Sequence, residues 1–300
     1  MISSSTISAF ASLQALNKKK MSAFLRRLYR TWVPQKLRVR MYPLTHPRFG
    51  FIKYSIQKMA KQRILSGPFE GMRFTFENPH LIKLLGTYEL EVHPAIEKLR
   101  EFHFTKIINI GAAEGYYTIG FARLCPEATV YAFESFLQKQ NAISQLAKDN
   151  GVCSRVYVNG TCSMNDLVPL LTQPRSTLLI CDIEGQEKEL LRPDSIKGLD
   201  EAYILVELHD MYVDSCTKTI KDRFEKTHFI ESFSTRHRTV DDFPLKSKTI
   251  LNFATKQTVV DIMEERRPAR QDFFLMVPKI ASKLKQMQMS FSGRAGKIHD

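Results

Sequence analysis

The stretch IINIGAAEGYYTIG, Ile107–Gly120, decides the fold. A short apolar run, Lys106 to Ile110, suits a buried parallel strand. It breaks at Gly111, passes Ala112, Ala113 and Glu114, turns at Gly115 and enters an apolar-periodic segment that Pro126 ends. The order is strand, glycine turn, helix N-terminus. Glycines at such a turn let a bulky ligand approach the backbone, and unpaired amides at the helix start can hold its polar groups. The same spacing also serves helix–strand packing alone, and it is not the GxGxxG of a dinucleotide fold. About twenty residues further on, the run Ala128–Phe133 reads as a second strand ending at Glu134 with Ser135 beside it, where a carboxylate can accept both hydroxyls of a ribose. Turn and acid together predict a nucleoside-containing ligand.

Outward from this unit the chain keeps alternating. Phe136–Asp149 is helical with Gly151 as a stop, Arg155–Asn159 is a strand, and Ser163 to Asp166 opens a short helix with a capping box. Ser176–Leu191, STLLICDIEGQEKELL, gives a buried strand, an acidic end and a new helix from Gly185. Tyr203–Asp210, YILVELHD, repeats the arrangement, and Cys216, Ile220 and Phe224 mark the following helix. Alternation of this kind predicts a parallel sheet covered by helices on both faces. His228–Phe233 and Asp272–Val277 read as further strands. Between them lies an insertion with Arg236, His237, Arg238, Asp241, Asp242, Phe243 and Pro244, which reads either as a substrate-contacting loop or as a small hairpin with a helix over Lys256–Glu265.

In an open parallel sheet, ligands lie beyond the carboxyl ends of the strands. Asp182 and Glu184 end one strand and Glu207 and His209 the next, each pair two residues apart, so both members can point the same way. A single acid at a strand end is commonly a helix cap, and Glu184 is open to that reading. Several charged groups at neighbouring ends repel unless a cation, proton or substrate is shared, which marks Asp182, Glu207 and His209 as a candidate catalytic group. Upstream, Leu84–Phe102 reads as a loop leading into a helix near Pro94. Tyr88 and Glu89 face the glycine turn if that helix packs on the sheet, and otherwise serve as cap and surface residues.

The formal charge of +13 suggests nucleic acid until it is located. Residues 1–69 hold fourteen of the 44 Lys and Arg residues and no Asp or Glu, which leaves 30 cations against 31 anions in the remainder. The basic character belongs to an N-terminal extension, without an aromatic-interleaved basic motif beside the candidate site, so nucleic acid is not the expected partner. Within residues 18–40, Met21, Phe24, Leu25, Leu28, Tyr29 and Trp32 recur at helical spacing, with Arg26, Arg27 and Arg30 on other faces. This is a basic amphipathic helix, docked on the domain or lying on an anionic membrane surface; the acid-free, serine-containing start also has a transit-peptide composition. No transmembrane span is read there. Five cysteines without CxxC or metal spacing predict a reducing, cytoplasmic setting. The expected division is residues 1–70 as extension, 71–278 as the domain, with a hairpin around Gly71–Phe74 near its start, and 279–300 as a basic tail.

The pieces NIGAAEGYYT, YAFES, CDIEGQEKELL and VELHD, with GTYELE upstream, resemble the motifs of FkbM-type methyltransferases. The resemblance runs from Leu84 to Asp210. It implies a Rossmann-like, seven-stranded class I methyltransferase sheet whose last strand is antiparallel, and an S-adenosyl-L-methionine-dependent O-methyltransferase acting on a carbohydrate, glycolipid or secondary metabolite. Carried over by position, Gly111, Ala112, Ala113, Glu114 and Gly115 would hold the methionine end of the cofactor, Glu134 the ribose, and Asn159, Gly160 and Cys162 would lie near the adenine. Asn109 departs from the acid that many methyltransferases place there. Asp182 would position cofactor or acceptor, with His209 or Glu207 as base; a divalent metal on Asp182, Glu207 and His209 is the other use of the group. The competing functions are a nucleic-acid methyltransferase and a non-catalytic, membrane-associated binding module on the same fold.

Overall fold

Seven apolar runs form seven strands of one sheet in the computed structural model, which describes residues 47–76, 80–244, 254–265, 267 and 269–280. In chain order the elements are α1 (Pro47–Ala60), α2 (Leu81–Leu85), α3 (His93–Arg100), β1 (Lys106–Ile110), α4 (Tyr116–Leu124), β2 (Thr129–Phe133), α5 (Leu137–Asp149), β3 (Val156–Asn159), α6 (Met164–Leu170), β4 (Thr177–Cys181), α7 (Glu187–Leu190), β5 (Tyr203–Leu208), α8 (Cys216–Phe224), β6 (His228–Ser234), α9 (Lys256–Met263) and β7 (Asp272–Pro278).

The sheet order is β3-β2-β1-β4-β5-β7-β6, with β7 antiparallel to both β5 and β6 and the other pairs parallel. This is the expected Rossmann-like architecture with its antiparallel last strand. Side chains alternate between faces. Ile107, Leu178, Ile180 and Leu205 enter one buried cluster with Ile119, Ile143 and Leu99, whereas Ile108, Ile110, Leu179 and Ile204 enter a second with Leu167, Ile220 and Phe224. Strand order reverses between β1 and β4, so a crevice opens beyond their carboxyl ends.

Two local expectations change. The segment after Gly185 forms only one helical turn, Glu187–Leu190: Gly185 at φ +105° lies outside the helical region before its start, and Pro193 follows its end. The insertion after β6 contains a capped turn, Val240–Asp242, and α9 ends at Met263; no hairpin occurs among its described residues. The capping box at Ser163 and Asp166 is present. Near residue 71, Ile64 N donates to Met72 O and Phe74 N to Gln62 O, a short antiparallel pairing. The packing also extends upstream of residue 71: Ile52, Ile56, Ala60 and Phe69 share a buried cluster with Ile107 and Ala112. The Phe69 ring meets Tyr116, Tyr117 and Phe121 of α4 edge-on at 5.2, 5.9 and 5.6 Å. Residues 18–40 and the tail from 281 lie outside the described residues. No helix among those described is long and apolar enough to cross a membrane.

His228 provides a pH handle on this fold. It is buried, its Nε2–H donates to Ala202 O at 2.9 Å, and burial holds its imidazole below the ordinary 6.5. The unfolded chain therefore binds a proton before the folded one does, so this contribution to stability is lost as pH falls from 6.5 toward the folded value. Each proton taken up only on unfolding costs at most about 1.4 kcal/mol per pH unit. Urea unfolding at pH 7 and pH 5 is expected to show a larger acid loss for wild type than for His228→Gln. Equal losses would show that the imidazole titrates alike in both states.

Candidate functional site

The glycine turn is built by backbone conformation. Gly111, Ala113 and Gly115 have φ of +79°, +47° and +94°, and the amides of Gly111 and Ala112 both donate to Phe133 O, at 3.0 and 2.9 Å. The absent side chain of Gly111 is accounted for inside the protein: a Cβ there would stand 1.7 Å from Asp182 O. At Gly115 it would meet Ile143 of α5 at 3.2 Å. The turn thus fixes the approach of β1 to β4 and of α4 to α5, whatever else it holds.

Glu134, at the end of β2, is buried, and its two carboxylate oxygens accept from Ala113 N and Phe136 N, each at 2.9 Å. Ser135 lies within 3.5 Å of the same carboxylate. Oε2 retains a lone pair and Oε1 would regain one if the long Ser135 contact turned away, so the acid is oriented and still able to accept from a diol. Asn109 is buried and donates to Thr118 Oγ1 at 2.9 Å, holding β1 to α4. Glu114 is paired with Lys83, whose ammonium lies 4.3 Å from the Tyr88 ring centroid. Asn159, Gly160 and Cys162 stand apart. Asn159 O accepts from Glu134 N, Gly160 is exposed, and burial pushes the Cys162 thiol up to about 12. None of the three lines the cavity between β1 and β4.

That cavity, about 40 Å³, is lined by Lys83, Tyr88, Glu89, Asn109, Gly111, Ala112, Ala113, Tyr116, Tyr117, Asp182, Glu207 and Phe273. Of the residues singled out from sequence it joins Tyr88, Glu89, Asn109, Gly111, Ala112, Ala113, Asp182 and Glu207, whereas Glu134, Glu184 and His209 are outside its lining. Tyr88 and Tyr117 are half-buried, desolvation raises both phenols, and Tyr117 O–H donates to Glu89. Glu89, at φ +49°, is itself buried. A volume of 40 Å³ takes a small group or an ion, not a whole nucleoside, so a nucleoside would extend from it along the strand ends.

At the cavity edge the register sets Cys181 of β4 beside Val206 of β5, which brings Asp182 next to Glu207. His209 is 1% exposed, and its Nδ1–H donates to Glu187 Oε1 at 2.8 Å. Its Nε2 faces Glu184 Oε2 at 3.5 Å, Asp182 Oδ1 at 3.6 Å and Glu207 Oε1 at 3.8 Å. Asp182 Oδ1 is buried without a hydrogen-bond partner, whereas Glu184 is largely exposed, at φ +55°.

Charge crowding tunes these groups. Burial, with Glu89 nearby, pushes Asp182 up to about 7. Burial, with Asp182 and Glu89 beside it, pushes Glu207 up to about 10 against the pull of Arg267. Burial works to lower His209, but its contact with Glu187 outweighs this and raises it. Burial works to raise Glu187, and the His209 hydrogen bond holds it below the ordinary carboxylate value.

Arg267 and Glu187 escape a reading of the sequence, and Arg238 is visible there only as part of the insertion. Arg267 reaches Glu207, Glu89 (2.6 Å) and Glu265 (2.8 Å). Arg238, buried, bridges Glu91 and Glu265, tying the insertion to the Leu90–Val92 turn. Arg267, Arg238 and Arg270 also line a second cavity of about 390 Å³ with Thr235, Glu264 and Glu265. Arg267 thus lines the second cavity and holds Glu89 and Glu207 of the first. Glu187 accepts from Ile183 N and Gly185 N as well as from His209, and this helix-start acid was the one detectable signal among them.

No protein-family model matches the chain, and no curated protein matches it in sequence. Among solved structures it is similar to a putative O-methyltransferase from Klebsiella pneumoniae, at 12% identity over 85% of this chain and 96% of that one, with a TM-score of 0.40. It is also similar to an rRNA methylase from Streptococcus thermophilus, at 15% identity over 62% and 96%, TM-score 0.41. A precorrin-6y C5,15-methyltransferase from Geobacter metallireducens follows at 14% over 63% and 87%, TM-score 0.41. These three carry methyltransferase or methylase names, and similarity at this level says nothing of the acceptor used here.

Proposed function

We propose that the chain is an S-adenosyl-L-methionine-dependent O-methyltransferase. The observation that carries this reading is the placement of Glu134: a buried carboxylate held by Ala113 N and Phe136 N, beside a glycine turn at the point where the strand order reverses. It is suited to accept a ribose diol. The sulfonium end of the cofactor would point into the cavity between Tyr88, Tyr117 and Asp182, where aromatic faces and acids favour positive charge. The sulfonium makes its methyl group electrophilic, so the protein has to align an acceptor oxygen and accept its proton. Asp182, Glu207 and His209 stand where that hydroxyl would arrive.

The acceptor class, a hydroxyl of a carbohydrate, glycolipid or secondary metabolite, comes from the FkbM-type motifs. The adjoining cavity of about 390 Å³, lined mainly by charged and polar side chains, suits a polyhydroxylated molecule of that kind.

Calorimetric titration with S-adenosyl-L-methionine and its demethylated product tests the cofactor. Both are expected to bind the wild-type chain, and Glu134→Gln is expected to weaken binding about tenfold, the loss of a hydrogen bond to a charged acceptor. Absence of binding to the folded wild-type chain would overturn the reading. Transfer of a labelled methyl group to a panel of sugars and glycolipids then tests the acceptor.

A further inference from the structure

Three side chains at the mouth of the small cavity form a donor set that the protein's own hydrogen bonds use only in part: Glu207 Oε1 accepts from Arg267, while Asp182 Oδ1 has no hydrogen-bond partner among the described residues. Asp182, Glu207 and His209 each present a ligand atom within 4.8 Å of the others. His209, 1% exposed, has its Nδ1–H committed to Glu187, itself fully buried. With Nδ1 so fixed, Nε2 is the ring nitrogen aimed at the cluster, and a cation there would displace the proton that the surrounding acids otherwise favour. The carboxylate oxygens facing that nitrogen are Glu184 Oε2 at 3.5 Å, Asp182 Oδ1 at 3.6 Å and Glu207 Oε1 at 3.8 Å, and Asp182 Oδ1 is buried without a hydrogen-bond partner among the described residues. A carboxylate behind an imidazole, fixing its tautomer, is the support that metal-bound histidines receive.

The spacings fit as well. Donors about 2.2 Å from one octahedral cation stand roughly 3.1 Å apart when adjacent and about 4.4 Å apart when opposite. The distances of 3.6 and 3.8 Å from Nε2 to Asp182 and Glu207 fall between these. Five carboxylates, Glu89, Asp182, Glu184, Glu187 and Glu207, surround the position, against the guanidinium of Arg267 and the ring of His209. Arg267 donates to Glu207 Oε1, so that oxygen would be shared between guanidinium and cation.

We propose that Asp182, Glu207 and His209 bind one divalent cation, of the Mg²⁺ or Mn²⁺ kind that accepts carboxylate oxygens with a single imidazole. The cation's role rests on the methyltransferase reading, but the site does not. In that role the acceptor hydroxyl coordinates the cation and its O–H proton passes to the exposed Glu184 carboxylate and on to solvent. The freed oxygen forms its bond to the methyl carbon as the carbon–sulfur bond of the sulfonium breaks, leaving a neutral thioether.

The test is titration of the full chain, stripped with chelator, with Mn²⁺, free Mn²⁺ being read by its electron paramagnetic resonance signal. One Mn²⁺ per chain is expected, with nitrogen modulation from a coordinated imidazole in the pulsed spectrum of the bound ion. Asp182→Asn and His209→Gln should each weaken binding by at least about tenfold, and Glu184→Gln by less. Glu231→Gln, on β6 and paired with Lys98, should leave it unchanged. Absence of saturable binding, absence of the nitrogen signal, or binding that survives both first substitutions would overturn the site. The nitrogen signal decides the matter in wild type even if a variant does not fold. Cofactor titration in chelator separates the two readings: cofactor binding without Mn²⁺ binding removes the cation alone, and Mn²⁺ binding without cofactor binding removes the methyltransferase reading alone.

Discussion

Arg267→Ala is expected to lower the unfolding free energy by about 3–5 kcal/mol, the cost of removing one partner from a buried ion cluster. Arg267 is 17% exposed and donates to Glu207 and Glu89, which are 5% and 2% exposed, and to Glu265, at 8%. Its guanidinium carbon also lies 5.6 Å from the Phe273 ring centroid. Truncation removes the cation and leaves Glu89 and Glu207 in a poorly hydrated space, Glu265 keeping Arg238, so the loss comes chiefly from uncompensated charge. Charge as the cause has a direct check: adding Glu89→Gln to Arg267→Ala should recover about 1–2 kcal/mol, a coupling of the size seen for neighbours in one network. Urea unfolding of the four proteins of this cycle provides the measurement. An Arg267→Ala midpoint equal to wild type would show that the cluster is solvated.

Arg267 also marks what the sequence could not reveal. The run EERRPAR, Glu264–Arg270, has no periodicity, and its relation to Glu207 depends on the chain returning after α9 to lay β7 against β5. No local spacing encodes such a contact. Lys83 is similar: it meets Glu114 only because α2 packs beside the glycine turn. By contrast, Asp182, Glu207 and His209 were legible, because period two within a strand and adjacency of β4 and β5 follow from alternation of strands and helices. Their convergence needed only those two rules. Gly111 and Gly115 were legible as a turn but not in their reason, since the atoms they make room for are Asp182 O and Ile143. Charge misled at the other end: the acid-free run to residue 69 suggests an appendage, yet Ile52, Ile56 and Phe69 are fully or nearly fully buried in the domain. Net charge reports a surface, and those side chains face inward.

Gly111→Ala tests the joint between fold and site. Gly111 has φ +79°, where an L side chain costs about 1–2 kcal/mol. A Cβ would lie 1.7 Å from Asp182 O and 2.8 Å from its carbonyl carbon. Neither atom can rotate away, because Asp182 N is bonded to Ile110 O at 3.0 Å and so holds the β4 end to β1. The ends of β1 and β4 must separate instead, which adds about 1–3 kcal/mol of overpacking. A total loss of about 2–5 kcal/mol is expected in urea unfolding. The same displacement moves Asp182 and should abolish cofactor binding under conditions where the variant remains folded. Gly160→Ala is the matched control, since a Cβ there meets nothing within 4 Å, and its midpoint should stay within about 0.5 kcal/mol of wild type. If Gly111→Ala instead matched Gly160→Ala, the close contact between the turn and Asp182 would be wrong, and with it the placement of the acid on which both the methyl-transfer and the cation readings depend.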